Sequence, residues 1–163
     1  MALSILSIAS ASFIAPLYLD WGDRLDNGTV TRTTSDKGTI ELYIAEIVGD
    51  VHDRTIQLTH KSSIYDICPS KSDDLSTPFE TVFNVNGRDI GMESVCKNKD
   101  EKGSADLWYM SSVPKTDYDR QYIIDAFKKG KNVLITFPVV TIEGPTDMNA
   151  IGFTDTWNRL GGN

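Results

Sequence analysis

Two histidines, His52 and His60, are the side chains of this chain best suited to transfer a proton or to bind a metal ion near neutral pH. Both lie near a predicted strand turn, where Asp50 and Asp53 could complete a set of metal ligands. Histidines at strand ends are also ordinary surface residues, and the close Cys or His pairs of a zinc site are missing. We therefore expect no metal, no cofactor and no catalytic residue.

Cys68 and Cys96 are the only two cysteines of the chain. Each follows a predicted strand and precedes a polar loop, so both could lie at the same edge of a sheet. In an exported protein we expect them to form a disulfide, which would stabilise the fold by about 3 kcal/mol in the chain-entropy model. In a cytoplasmic protein they would instead be two buried thiols.

The remaining candidates for catalysis lack their usual surroundings. The chain has no Gly-x-Ser-x-Gly motif of a serine hydrolase. Three aspartates near the N-terminus do not follow the spacing of an EF-hand calcium loop: Asp20, Asp23 and Asp26. Asp73 and Asp74 lie in a polar loop, where nothing would shift their pKa values. The residues thus predict a protein that is not an enzyme.

The charge of the chain limits its partners. Its net charge is −7 at pH 7 and its isoelectric point is about 4.7. Sequence-independent binding to nucleic acid needs clustered cations that displace counterions from phosphate. The largest basic cluster contains Lys128, Lys129 and Lys131 at the end of a predicted helix. At the end of a helix, a favourable interaction with the helix dipole explains such a cluster of lysines. Anion or membrane binding is the alternative.

Residues 1–15 are uncharged and consist of apolar and small side chains. The pattern is typical of a secretory signal, with residues 3–8 as the apolar centre and residues 9–11 (ASA) as the cleavage site. The alternative is a buried strand or an uncleaved apolar arm, as in an assembly protein. A membrane span is not expected, because it needs about 20 mostly apolar residues and Asp20 ends the run. Residues 16–163 are predicted to form a single β-rich domain.

Strand signals dominate the first two thirds of the chain. In residues 39–48, Ile40, Leu42 and Ile44 alternate with Glu41 and Tyr43, the period of a half-buried strand. Further strands are predicted at residues 55–59, 63–67, 79–85, 88–95 and 106–110. Asn86-Gly87 stands between two of these runs and predicts a type I′ hairpin, because both positions accept positive φ.

One long helix is predicted over residues 118–129, with Thr116 as its N-cap and Gly130 after its last turn. The side chains that share one face of it are expected to pack in the core, and a binding face is the alternative: Tyr118, Tyr122, Ile123, Ala126 and Phe127. A buried strand at 132–137 and a short strand at 148–151 follow, then a short closing helix that aligns Phe153, Trp157 and Leu160. The sequence thus predicts a mainly antiparallel β-sandwich or barrel, with one packed α-helix and a short C-terminal helix.

The second half of the chain carries a family resemblance. Residues 122–137 (YIIDAFKKGKNVLITF) and 148–160 (MNAIGFTDTWNRL) give a helix, a Gly-Lys pair, a strand, then Gly-Phe and a second helix. This order resembles the closing part of the bacterial invasion-associated locus B family, over roughly residues 79–160. The resemblance implies a small exported, disulfide-bonded β-sandwich with a short helix pair and no known enzymatic chemistry.

These observations favour a non-enzymatic, exported binding protein, periplasmic or secreted, that recognises a protein or a cell-envelope component. The competing hypothesis is a structural or assembly subunit, such as a phage virion component, located in a virion or a cytoplasmic assembly and forming oligomers. A hydrolase with an unrecognised site is a third class.

Overall fold

The computed structural model describes residues 17–18, 20–22, 25–34, 40–62, 77–98, 108–138 and 144–162. Its elements, in chain order, are β1 (Leu17–Tyr18), β2 (Gly28–Thr34), β3 (Ile40–Val48), β4 (Thr55–Ser62), β5 (Phe79–Val85), β6 (Arg88–Asn98), β7 (Trp108–Pro114), α1 (Asp117–Lys129), β8 (Asn132–Thr136), β9 (Thr146–Asn149) and α2 (Phe153–Arg159).

All strands of the described residues belong to one antiparallel sheet in the order β1-β2-β3-β4-β7-β6-β5-β8-β9. The sheet curls into a nearly closed barrel, so that β9 approaches β2: the Thr31 hydroxyl of β2 donates to the backbone carbonyl of Asp147 in β9, at 3.0 Å. The predicted fold class is therefore confirmed, in its barrel form.

The short segment after β1 joins the two ends of the sheet. β1 pairs with β2, and the Trp21 backbone N–H then donates to the Ile151 carbonyl at 3.0 Å. The Trp21 indole donates to the Asn149 carbonyl at 2.8 Å, and the Asn149 amide donates to the Asp20 carboxylate. Because these bonds connect the start of the described chain with its last strand, they hold the seam of the barrel.

Both helices pack against one end of the barrel. α1 buries Ile123, Ile124 and Phe127, and α2 buries Phe153 and Trp157. Trp21 meets the rings of Phe127 and Phe153 edge-on, with centroids 5.3 and 4.8 Å away. Edge-to-face contacts add to the stabilisation from burial alone, so this aromatic cluster fixes the helices on the barrel.

α1 begins and ends where the sequence predicts. The Thr116 side chain accepts a hydrogen bond from the Asp119 backbone N–H at 3.1 Å, which makes it the N-cap. Gly130 follows the last turn with φ −95°, so left-handed backbone is not the reason for a glycine there. A Cβ at this position would lie 2.7 Å from the Asn132 carbonyl oxygen, and it is this close approach that excludes larger residues.

The predicted hairpin is confirmed. Asn86 and Gly87 have φ values of 49° and 86°, and Val85 pairs with Arg88 across the turn. This turn faces α1, and it therefore places the first residue of β6, Arg88, beside the helix.

Three details differ from the sequence predictions. β2 was not predicted, although its Thr- and Val-rich sequence is typical of a strand. In β3 Glu41 and Tyr43 are buried together with Ile44, Ala45 and Ile47, whereas Leu42 is half-buried. β8 is only half-buried, because Leu134 points outward and is 45 % exposed. The predicted strand at residues 63–67 lies outside the described residues.

Candidate functional site

A polar cluster lies inside the barrel where β3 and β4 pair. Register places Glu41 opposite Ser62, and Tyr43 opposite His60. His60 Nε2 lies 2.6 Å from Glu41 Oε2, and the Ser62 hydroxyl donates to Glu41 Oε1 at 2.7 Å. The Tyr43 ring stacks on the imidazole at 4.6 Å, and Phe137 packs against both rings. These contacts form one buried network of carboxylate, imidazole and hydroxyl.

The geometry of this cluster is that of a structural network. In a nucleophilic relay the histidine lies between the hydroxyl and the carboxylate, whereas here Glu41 lies between Ser62 and His60. All three side chains are inaccessible to solvent. His60 Nδ1 is buried and has no hydrogen-bond partner among the described residues. The arrangement thus cross-links two strands of the barrel and does not activate Ser62 for attack on a substrate.

The two histidines are not brought together. His52 is exposed in the turn before β4, and Asp50 there accepts hydrogen bonds from the backbone N–H groups of His52 and Asp53. His60 lies inside the barrel near the far end of β4, and the stretch from Thr55 to His60 alone spans about 17 Å at about 3.3 Å per residue. In the described part of the chain, no three His, Cys, Asp or Glu side chains are placed to hold a metal ion.

The structure describes one of the two cysteines of the predicted disulfide. Cys96 lies in β6, opposite Met110 of β7, and is 2 % exposed. Cys68 lies outside the described residues, so the pairing of the two stays a prediction. Of the acidic residues considered above, Asp23, Asp73 and Asp74 also lie outside this part of the chain.

On the outside of the described part of the protein, Arg88 contacts two tyrosines of α1. Tyr118 and Tyr122 are four residues apart and lie on the same side of the helix. The Arg88 guanidinium carbon is 4.2 Å from the Tyr118 ring centroid and 4.4 Å from that of Tyr122. The Tyr122 hydroxyl donates to the Val85 carbonyl, which anchors its ring. We call Arg88, Tyr118 and Tyr122 the tyrosine–arginine surface.

A groove of about 330 Å³ adjoins this surface. Its lining comes from the hairpin turn and the second half of α1: Asn86, Tyr122, Asp125, Ala126, Lys129 and Gly130. Hydrogen bonds from Lys129 and then Gln121 hold the pKa of the Asp125 carboxyl below its ordinary value. The Asp125 carboxyl is therefore ionised at every pH above its ordinary pKa. Its ion pair with Lys129 is lost only when the pH falls through the lowered pKa of Asp125.

The sequence pattern favoured the core for the two tyrosines of this surface. Tyr118 shares the apolar face of the predicted helix and was expected in the core, yet it is 70 % exposed, whereas Ile123 and Phe127 are buried as predicted. The two tyrosines at helical spacing are a signal for a shared face. No local pattern connects them with Arg88, because only the docking of α1 beside the hairpin turn brings the three together.

No helix within the described ranges is both long and apolar enough to cross a membrane. Comparison of the chain with protein-family models, with curated proteins and with solved structures found no match.

Proposed function

We propose that this protein is an exported, non-enzymatic binding protein that recognises a protein or cell-envelope partner through its tyrosine–arginine surface. The observation that carries the proposal is the contact of Arg88 with two tyrosine rings, one of them largely exposed, beside a groove. Tyrosine and arginine are enriched among the residues that dominate binding energy in protein interfaces.

The surface is also preorganised. Cation–π contacts at exposed sites contribute about 0.5–1 kcal/mol each, and the Tyr122 hydrogen bond to Val85 fixes one ring further. A side chain that is already held in its binding conformation loses less conformational entropy when a partner docks.

Export would leave the described fold intact. β1 and Trp21, which holds the seam of the barrel, both come after the predicted signal of residues 1–15. Cleavage after residue 11 would leave every described strand in the mature protein.

The mass of the protein from its natural source tests the export. We expect a chain that begins near Ser12 and that is two hydrogens lighter than its reduced form, because Cys68 and Cys96 are paired. Intact mass spectrometry before and after reduction measures both quantities. A chain that starts at Met1, carries two reactive thiols and purifies in a large particle would contradict export and support the assembly subunit.

Site-specific cross-linking tests the binding surface. A photoreactive benzoylphenylalanine in place of Tyr118 is expected to give a discrete cross-linked product in the natural host, since this ring is the most exposed aromatic of the surface. The matched control carries the same residue at Ile151, which is 51 % exposed and lies at the end of β9. Products that are identical at both positions, or absent at Tyr118, would contradict the assignment of the site.

A further inference from the structure

We infer that Arg54, in the turn before β4, is a binding site for a single carboxylate group of a ligand or partner. The inference is independent of the proposed function, because it uses none of the residues of the tyrosine–arginine surface. It comes from a guanidinium that lies against the end of α2 without an anion beside it.

The Arg54 guanidinium lacks the partners that a buried cation needs. Its Nε and Nη1 atoms are closed to solvent and have no hydrogen-bond partner. Arg54 also forms no ion pair with any residue that the structure describes. Buried donors without acceptors are costly, and a buried cation without an anion is costlier still. The arrangement therefore indicates that another molecule supplies the acceptor.

The neighbouring groups of the chain do not supply it. Asp50 accepts backbone hydrogen bonds within its own turn, and the Asp53 carboxylate lies 3.8 Å from Arg120. On the other side, Gly161 follows the last turn of α2, and a Cβ there would lie 3.5 Å from Arg54 Nη1. The negative end of the α2 dipole attracts the cation, but this attraction is weaker than the hydrogen bonds that the two donors lack.

A ligand can reach the guanidinium from solvent. Arg54 is only half-buried, and its Nη2 atom does not belong to the closed-off pair. Nη2 takes part in both paired-donor edges of a guanidinium, with Nε on one edge and Nη1 on the other. A carboxylate that meets Nη2 bidentately therefore also accepts from one of the two unpaired donors.

An apolar side chain lies beside this donor group. The position that a Cβ of Gly161 would take, 3.5 Å from Arg54 Nη1, is 3.8 Å from Val51 Cγ2. Val51 and Gly161 are both exposed, so this side of the site is open. A ligand that carries its carboxylate on a short apolar chain can thus contact Val51 while its oxygens accept from Arg54.

The charge around the site favours a carboxylate over a phosphate. The protein carries a net charge of −7, and Asp50 and Asp53 belong to the same turn as Arg54. The negative end of the α2 dipole faces the same cation. A carboxylate with one negative charge is repelled less by these groups than a phosphate with about two.

Titration with sodium butyrate tests this inference, since butyrate carries one carboxylate on a short apolar chain. At low ionic strength, held constant with sodium chloride, we expect saturable shifts of the NMR signals of the Arg54 Nε–H and the Gly161 amide. Arg54→Lys keeps the charge and loses the paired donors. Followed on the Gly161 amide, it is expected to weaken binding about tenfold, the factor that corresponds to one charge-assisted hydrogen bond. The control Arg159→Gln removes a cation from the same end of α2 and is expected to leave the affinity nearly unchanged.

Thermal unfolding gives a second readout. Arg54→Met removes the cation and keeps an unbranched side chain, so we expect it to be at least as stable as the wild type without butyrate. Butyrate is expected to raise the unfolding temperature of the wild type and not that of Arg54→Met. A clearly less stable Arg54→Met variant, or signals that sodium chloride shifts as much as butyrate does, would overturn the inference. Tighter binding of inorganic phosphate than of butyrate at matched ionic strength would exclude a carboxylate as the ligand.

Discussion

Replacing Glu41 with leucine is expected to lower the free energy of unfolding by about 1–3 kcal/mol for each of the two buried groups that lose their hydrogen-bond partner. His60 and Ser62 both direct hydrogen bonds at this carboxylate and are completely buried with it. Without Glu41 they would keep their burial and lose this acceptor. Denaturant unfolding, followed by tryptophan fluorescence, measures the loss.

Two further variants separate lost hydrogen bonds from lost packing. Glu41→Gln keeps the side-chain volume and one acceptor oxygen, so we expect a smaller loss than with leucine. The triple variant Glu41→Leu, His60→Leu, Ser62→Ala replaces the whole network by apolar groups and is expected to regain part of the stability, because fewer buried polar groups then lack partners. A loss below about 1 kcal/mol for Glu41→Leu would show that the network does not hold β3 and β4 together.

Replacing Trp21 with alanine is expected to cost about 3–5 kcal/mol, the range for a buried large aromatic side chain. Trp21 is 5 % exposed, packs on Phe127 and Phe153, and bonds to the Asn149 carbonyl. Its loss would therefore open a cavity under the helices and remove one hydrogen bond from the seam of the barrel. Thermal and denaturant unfolding of the purified variant measure the change.

Trp21→Phe serves as the graded comparison, since it keeps much of the packing and loses the indole donor. We expect it to cost about 1–3 kcal/mol, because the Asn149 carbonyl then loses a buried partner. Ile151→Ala, at an exposed position next to the same seam, is expected to change stability by less than about 0.5 kcal/mol. Equal stability of Trp21→Ala and the wild type would mean that the seam is held by other contacts.

The sequence by itself determined several of the local elements of this protein. Asn86-Gly87 determined a hairpin, because both positions accept positive φ. Thr116 and Gly130 determined the ends of α1, because a hydroxyl caps the first turn and only a glycine fits the close approach after the last. The alternation of apolar and polar side chains along the chain determined β3 and β4. Each of these signals acts between residues close in the chain, so the amino-acid order is enough to detect it.

The tertiary structure alone decided which face of β3 points inward. Alternation in β3 has the same period whether Glu41 or Leu42 points inward, and a shift of one residue would exchange the two faces. Glu41 points inward because the register of β3 with β4 places it where His60 and Ser62 can donate to it. A carboxylate can be buried when such donors surround it, and the sequence does not reveal donors about 20 positions away.

The candidate site depended on the tertiary structure for the same reason. Arg88 follows a turn whose geometry the sequence predicts, and Tyr118 and Tyr122 lie on a helix that it also predicts. Their contact arises only because α1 packs on the end of the barrel where that turn lies. Helical periodicity placed Tyr118 on the apolar face, but it gives no information on where the barrel ends and solvent begins. Long-range packing, which sums weak contacts between distant segments, determined that boundary.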